Sequence, residues 1–165
     1  MTTTECGYEC DVCGFALWKF ITYLNVSALG LHDDARFPGR CLLVLRQHAD
    51  DFSELRDDIA HAFVGDTQMA ARVIRKVTGA PRINYAILGN VESHVHFHLI
   101  PRGHKADPIP NLAPWAHPVK RSNLDHEQAK RLMSGIRSAI SKELALGQET
   151  TVFTSPNKVR CYPPR

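Results

Sequence analysis

The sequence predicts an α+β domain with a mainly antiparallel sheet. Short apolar runs separated by turn residues indicate several strands, and segments with helical periodicity lie between and after them. The chain has 165 residues, of which 44% are hydrophobic and 22% charged, and these values are typical of one globular domain with a sizeable core.

Strands are expected in order along the first hundred residues. Residues 17–32 are rich in aliphatic and aromatic side chains and predict two strands that meet near residues 23–26. A turn with Asp, Pro and Gly precedes the apolar strand 41–48. Strand 82–88 then ends at Gly89-Asn90, a turn that indicates a hairpin with the following strand.

Helices are expected in three places. Residues 50–63 have helical character with Asp51 or Ser53 as a possible N-cap, and a second helix is predicted over 66–78, starting at Asp66. An apolar stripe predicts a C-terminal helix over about 124–146. The five prolines at positions 101 to 118 instead favour an extended surface loop.

Composition bounds the function only loosely. The net charge of +3 weakly favours an anionic small-molecule substrate and gives no case for a nucleic-acid-coating protein. No stretch approaches 18 apolar residues, and the start MTTTECGYECDVCG lacks the pattern of a secretory signal. We therefore expect no membrane partner and a cytoplasmic location.

Three histidines at alternate positions dominate the stretch ESHVHFHLIPR, residues 92–102. A strand directs alternate side chains to opposite faces, so His94, His96 and His98 would share one face and the apolar residues between them the other. Neutral imidazole is abundant near pH 7 and can attack phosphorus without first losing a proton. The alternative is a polar strand face with solvated histidines.

The segment HVHFHLI, residues 94–100, matches the histidine-triad pattern, and the chain resembles the HIT superfamily of nucleotide hydrolases and transferases. Upstream LHDDARFPGRCLLVLRQH, a helical segment, the strand with Asn84, and GN before and PR after the triad fit in the same order. The resemblance implies a HIT domain over 14–118 with a five-stranded sheet. The remaining parts are an N-terminal CxxC segment 1–13, a C-terminal helix 119–146 and a tail 147–165.

The resemblance also implies a function and roles for single residues. The chain would act at the α-phosphorus of a purine nucleoside phosphoanhydride, phosphoramidate or dinucleoside polyphosphate, and would form a homodimer with a continuous ten-stranded sheet. His96 would be the nucleophile, and His98 would contact the phosphate and assist proton transfer. The implied nucleotide-binding residues are Asp33 or Asp34 on the ribose hydroxyls, and Asn84 and Asn90 on phosphate oxygens.

Two positions depart from the family pattern. Val91 stands where many members carry Ser or Thr as a phosphate ligand, and Glu92 places a negative charge near a site for anions. These departures leave open a second function class, a catalytically silent nucleotide-binding module.

The five cysteines favour metal ligation or free thiols over a disulfide framework, because they are odd in number and the chain lacks an export signal. Cys10 and Cys13 form a CxxC, which is half of a zinc site. The resemblance supplies the other half, His48 and His94, and so implies a structural tetrahedral zinc. Cys6 can replace one cysteine in another register, and the alternative to a metal site is a pair of surface thiols.

Overall fold

The computed structural model describes residues 5–103, 107–147 and 160–162. The strands are β1 (Glu5–Glu9), β2 (Ala16–Leu17), β3 (Phe20–Tyr23), β4 (Ser27–Leu31), β5 (Cys41–Leu45), β6 (Arg82–Ile87), β7 (His96–Arg102) and β8 (Arg160–Tyr162). The helices are α1 (Asp57–Thr78) and α2 (His126–Gly147), with short 3-10 helices at Phe52–Glu54 and Pro114–Ala116.

The main sheet has five strands in the order β3-β4-β5-β7-β6. Every neighbouring pair is antiparallel, and each pair except β5–β7 joins strands that are consecutive in the chain. The predicted α+β class and antiparallel sheet are therefore confirmed. The predicted hairpin of β6 and the histidine strand is present, although β7 begins at His96 and residues 88–95 form the connection.

The helical region differs from the prediction at one point. The two predicted helices 50–63 and 66–78 are replaced by the 3-10 turn and the single 22-residue helix α1. Asp66, the expected start of the second helix, lies inside α1, where its buried carboxylate accepts hydrogen bonds from Val26 N (2.9 Å) and Ser27 Oγ (2.6 Å). The side chain thus satisfies the β3–β4 turn, a long-range partner that local periodicity does not reveal.

Both helices pack on one face of the sheet and form the larger core. Apolar side chains of β4, β5 and β7 meet those of α1 and α2 there. The most deeply buried members are Leu29, Leu43, Leu99, Phe63, Ile74, Ile136 and Ile140. Burial of large aliphatic and aromatic side chains contributes about 1.5–3 kcal/mol each, so this layer supplies most of the driving force for folding.

The N-terminal segment covers part of the opposite sheet face. Tyr8, Phe15 and Leu17 form a second apolar cluster with Val44 of β5. The backbone approach is close at Gly30, because a Cβ there would lie 3.1 Å from the Leu17 side chain. The chain that carries the CxxC is therefore held against the sheet face to which the triad histidines belong.

The segment after β7 is held by a buried arginine. Arg102 is almost fully buried, and its guanidinium donates to Asp107 Oδ2 (2.9 Å) and to the carbonyls of Leu112 (2.8 Å) and Ile109. These bonds fix the proline-rich stretch, which the sequence predicts as an extended loop and which also contains the 3-10 turn Pro114–Ala116.

Most of the predicted tail 147–165 lies outside the described residues. Its residues 160–162 form β8, which pairs antiparallel with β1 in a small sheet of order β2-β1-β8. Within the described part of the chain, neither helix is long and apolar enough to cross a membrane.

Gly39, in the turn before β5, offers a test of how this strand is positioned. Gly39 has φ +86°, and a Cβ there would collide with Thr78 Cγ2 at the end of α1. Gly39→Ala should lower the free energy of unfolding by at least about 1–2 kcal/mol, the cost of left-handed backbone for an L-residue. Gly65→Ala, in open space on α1, should instead stabilise by about 0.5–1 kcal/mol. Urea unfolding of both variants checks this, and equal stabilities would contradict it.

Candidate functional site

Two cysteines and two histidines from distant parts of the chain meet beside the main sheet. The ligand atoms of Cys10, Cys13, His48 and His94 all lie within 4.8 Å of one another. Cys10 Sγ is 3.7 Å from His48 Nδ1, Cys13 Sγ is 3.3 Å from His94 Nδ1, and the two Nδ1 atoms are 3.4 Å apart. The structure thus brings together all four residues that the sequence singles out for a metal.

Local backbone geometry explains how these residues meet. Cys10 donates its N–H to the Phe15 carbonyl and accepts from Gly14 N–H, both at 2.9 Å, so the CxxC lies in a tight turn. The positive φ of Gly14 (75°) closes this turn. His48 follows β5 and His94 precedes β7, and the pairing of these two strands places the histidines side by side.

The outer nitrogens of both imidazoles have partners of the kind that orient metal ligands. His94 Nε2 is 2.7 Å from the Leu45 carbonyl and must donate to it, and His48 Nε2 is 3.1 Å from Asp50 Oδ1. Both Nδ1 atoms therefore remain available to the cluster. Burial lowers the pKa of His94, which favours the neutral imidazole that a metal needs. Two thiols and two imidazoles within this span fit tetrahedral zinc.

His96 lies on the same sheet face, opposite Val44 of β5, and is almost fully buried. Its Nδ1 is 2.6 Å from the His94 carbonyl, an acceptor, so Nδ1 carries the proton. The proton on Nδ1 leaves the lone pair of the neutral ring on Nε2. The Phe15 ring lies 5.2 Å from the His96 ring and limits the ring's movement.

His98 lies next to His96 on this face, with ring centroids 5.0 Å apart. Its Nδ1 is 3.1 Å from Nη2 of Arg40, and the His32 ring is edge-on at 6.1 Å. Burial, with the positive charge of Arg40 and the proximity of His96, lowers the pKa of His98 to about 4. At neutral pH His98 is therefore an uncharged ring.

The two candidate ribose-binding carboxylates contact protein groups. Asp34 is completely buried, and its oxygens accept hydrogen bonds from Arg36 and Arg40 at 2.8–2.9 Å. Asp33 accepts from Leu124 N at 2.7 Å and lies 3.5 Å from Lys19 Nζ. The described contacts of both carboxylates are thus internal, and a ribose-binding role for either stays a prediction.

The candidate asparagines differ in position. Asn84 of β6 pairs with Ile100, two residues beyond the His98–Ala86 pair, and so shares the triad face next to His98. Asn90 is exposed in the β6–β7 connection. Val91 and Glu92 lie in the same connection, and Val91 is 83% exposed. The structure therefore places Asn84, but not Asn90, within the sheet beside the triad.

Three residues around the triad carry no role in the sequence analysis. Phe15 contacts the rings of His94 and His96, Arg40 bonds to His98, and His32 faces His98. Leu42 and Val44 lie opposite the triad histidines and share their sheet face. Arg40 precedes Leu42 by two residues, so strand periodicity places it on the same face. The contact of Phe15 depends on the path of the N-terminal segment and has no local signal.

Comparison with known protein families identifies a match over the main sheet. The HIT domain model matches residues 19–105, which is more than half of the chain. A search of curated proteins found no match.

Solved structures with the same fold include three instructive examples. A histidine triad protein from Sinorhizobium meliloti is 26% identical, with 73% of this chain and 87% of that chain covered and a TM-score of 0.66. A zinc-bound histidine triad family protein from Mycobacterium smegmatis is 20% identical (77% and 86% covered, TM-score 0.57). A Plasmodium falciparum diadenosine triphosphate hydrolase is 17% identical (83% and 86%, TM-score 0.55).

The buried charge cluster at Asp34 predicts a large effect on stability. Asp34→Asn should lower the free energy of unfolding at pH 7 by about 3–5 kcal/mol, because it leaves two guanidinium groups without their carboxylate. Burial opposes ionisation, but Arg36 and Arg40 outweigh it and lower the pKa of Asp34 from 3.8 to about 2. The difference in free energy of unfolding between wild-type protein and Asp34→Asn should therefore be full above about pH 4 and decrease as the pH falls towards 2.

The matched control is Asp58→Asn, which breaks the exposed ion pair with Arg56 and should change stability little. Urea unfolding of both variants at several pH values is the measurement. Similar losses in the two variants would contradict the assigned role of Asp34.

Proposed function

Because this chain belongs to the HIT domain family, we propose that it is a nucleotide hydrolase or nucleotidyltransferase that forms a covalent intermediate on His96. The substrate would be a purine nucleoside phosphoanhydride, phosphoramidate or dinucleoside polyphosphate. The observation that carries the proposal is the fixed tautomer of His96, with Nδ1 hydrogen-bonded to the His94 carbonyl and the lone pair on Nε2. The fold shared with a diadenosine triphosphate hydrolase is consistent with this substrate class.

In the first step, the lone pair of His96 Nε2 attacks the α-phosphorus, and the bond from phosphorus to the leaving group breaks with its electron pair. The new P–N bond gives the ring a positive charge. The His94 carbonyl, which already accepts the Nδ1 proton, stabilises this charge as it develops, and this bond requires no rearrangement of the ring.

In the second step, water or another hydroxyl attacks the same phosphorus and the P–N bond breaks, which returns neutral His96 and releases the nucleotide. The attacking oxygen loses its proton to solvent water in this step. Because the intermediate is a phosphoramidate, the ring is a good leaving group, and the identity of the acceptor decides between hydrolysis and transfer. Asn84, which shares the triad face with His98, is the proposed donor to phosphate oxygens.

We also propose that Cys10, Cys13, His48 and His94 hold a structural zinc ion, as the donor set and the outer partners of both histidines favour. When bound, zinc would cross-link the N-terminal segment to the ends of β5 and β7. His94 would then link the two sites, since its ring binds the metal and its carbonyl orients His96.

A homodimer with a continuous ten-stranded sheet is part of the proposal. Among the described strands, β6 is an edge of the main sheet, and Tyr85, Ile87 and Leu88 on and after it are exposed apolar residues. An exposed edge strand with apolar side chains favours pairing with a second copy.

The nucleophile is tested by His96→Ala. Turnover of adenosine phosphoramidate should fall by roughly 10⁴-fold or more, since the chemistry loses its attacking atom. The mass of intact protein after a rapid denaturing quench should show a nucleotidyl adduct on wild-type protein and none on the variant. The control is His61→Ala, on an exposed position of α1, which should keep wild-type turnover.

Undiminished adduct on His96→Ala would exclude this mechanism. Binding of AMP or GMP by wild-type protein without any turnover would instead support the second candidate function, a catalytically silent nucleotide-binding module. The exposed Val91 and the acidic Glu92 in the connection before the triad favour that alternative.

The zinc site is tested by removing both thiols of the CxxC. Purified wild-type protein should contain one zinc per chain, and Cys10→Ala/Cys13→Ala should contain none. Chelation should lower the melting temperature of wild-type protein, because a ligand that binds only the folded state stabilises it. The control Val12→Ala, an exposed residue inside the CxxC, should keep its zinc. Equal zinc content in the double variant would refute the site.

A further inference from the structure

Arg40 lies where β5 begins and belongs to the triad face of the sheet. Leu42, two residues later, is opposite His98, and alternation directs the Arg40 side chain to the same face. The backbone of Arg40 is fixed on both sides, because its N–H donates to the Phe37 carbonyl at 2.9 Å and its carbonyl accepts from His32 N at 2.8 Å. The side chain is mostly buried, with 12% exposed.

The bond between Arg40 and His98 determines where the His98 proton lies. Nη2 of Arg40 is 3.1 Å from His98 Nδ1. A guanidinium has donors and no acceptor, so Nδ1 must accept and the neutral ring carries its proton on Nε2. This is the opposite tautomer to His96, whose Nδ1 is the protonated nitrogen.

Asp34 fixes the other end of the same guanidinium. Its Oδ2 accepts from Arg40 Nη1 at 2.9 Å, and Arg36 binds the carboxylate through Nε and Nη2, both at 2.8 Å. Because the guanidinium is planar, bonds at Nη1 and Nη2 together define the orientation of the plane. Asp34, Arg40 and His98 therefore form a hydrogen-bonded chain that ends in the triad.

We propose that Arg40 is a positioning residue, held by Asp34, that makes His98 a neutral Nε2–H hydrogen-bond donor to the phosphate or leaving group instead of a base. This inference rests on the proposed nucleotidyl chemistry at His96. In this proposal Asp34 orients Arg40 and does not contact ribose. No proton leaves or reaches His98 in this role, so the attacking hydroxyl releases its proton to solvent water.

The surroundings of His98 support a neutral donor. Arg40 is the charged group that faces it, His96 faces it from its own strand, His32 from the end of β4, and Asn84 lies beside it on β6. Burial and Arg40 lower the pKa of His98 to about 4, and burial lowers that of His32 to about 3. Among the described residues, no carboxylate contacts His98 that could stabilise an imidazolium there. The guanidinium of Arg40 would instead repel it.

The tautomer and titration of His98 can be measured directly in ligand-free protein. Long-range ¹H–¹⁵N NMR of ¹⁵N-histidine-labelled protein should show His98 as the Nε2–H tautomer from pH 5 to 8. Arg40→Met should raise the titration midpoint of His98 by at least one pH unit. Arg40→Lys should keep it low, because the charge remains. The control Arg56→Met removes an exposed arginine far along the chain and should leave His98 unchanged.

The wild-type spectrum alone can overturn the inference, even where a variant fails to fold. An Nδ1–H tautomer at neutral pH, or a midpoint near 6.5 in wild-type protein, would refute it. The same midpoint in wild-type protein and in folded Arg40→Met would refute the contribution of Arg40.

Kinetics supply the second readout and separate the two proposals. With adenosine phosphoramidate, Arg40→Met should lower kcat by about 10–100-fold, as losses of orienting partners do, with a smaller change in KM. Arg40→Lys should rescue part of the loss. An effect on KM alone would assign Arg40 to substrate binding and overturn the positioning role. Absence of turnover by wild-type protein would count against the proposed function, while the NMR tautomer would still decide the state of His98.

Discussion

The antiparallel register of β5 against β7 is the constraint on which the site depends. Val44 lies opposite His96 and Leu42 opposite His98, so the imidazoles occupy the face away from the helices. Cys41 and Leu99 form the adjacent pair that enters the helical core. A shift of the register by one residue would turn the histidines into the helical core and the aliphatic residues onto the triad face. The same hydrophobic burial that stabilises the fold therefore fixes the face on which chemistry is possible.

His94 connects the two clusters of the site through three different atoms. Its Nδ1 is 3.3 Å from Cys13 Sγ, its Nε2 donates to the Leu45 carbonyl, and its own carbonyl accepts from His96 Nδ1. The Phe15 ring lies against the rings of both His94 and His96. The N-terminal segment is therefore coupled to the orientation of the His96 ring by contacts that a structural metal would strengthen.

Much of this arrangement follows from local patterns, and the remainder does not for physical reasons. Strict alternation in residues 94–98 predicts the common face, and hairpin signals predict β6 and β7. The single helix α1 was missed because Asp66 has the chemistry of an N-cap but a long-range partner in Ser27. The pairing of Asp34 with Arg40 was missed because a carboxylate near a strand end fits either a ligand or an internal ion pair, and only the folded chain shows which side chains meet it.

The internal use of Asp34 also shapes the field at the triad. Arg36 and Arg40 contribute two positive charges and Asp34 one negative charge, so the cluster keeps one positive charge beside His98. Charges in a partly buried site interact more strongly than in water, because the effective dielectric constant is lower. A neutral His98 adds no charge of its own, so the attraction for a phosphate comes from fixed guanidinium charge and from N–H donors. Such a site holds its electrostatic character over the whole pH range in which His98 stays neutral, and the anionic phosphoryl group of the proposed substrate matches the sign of this field.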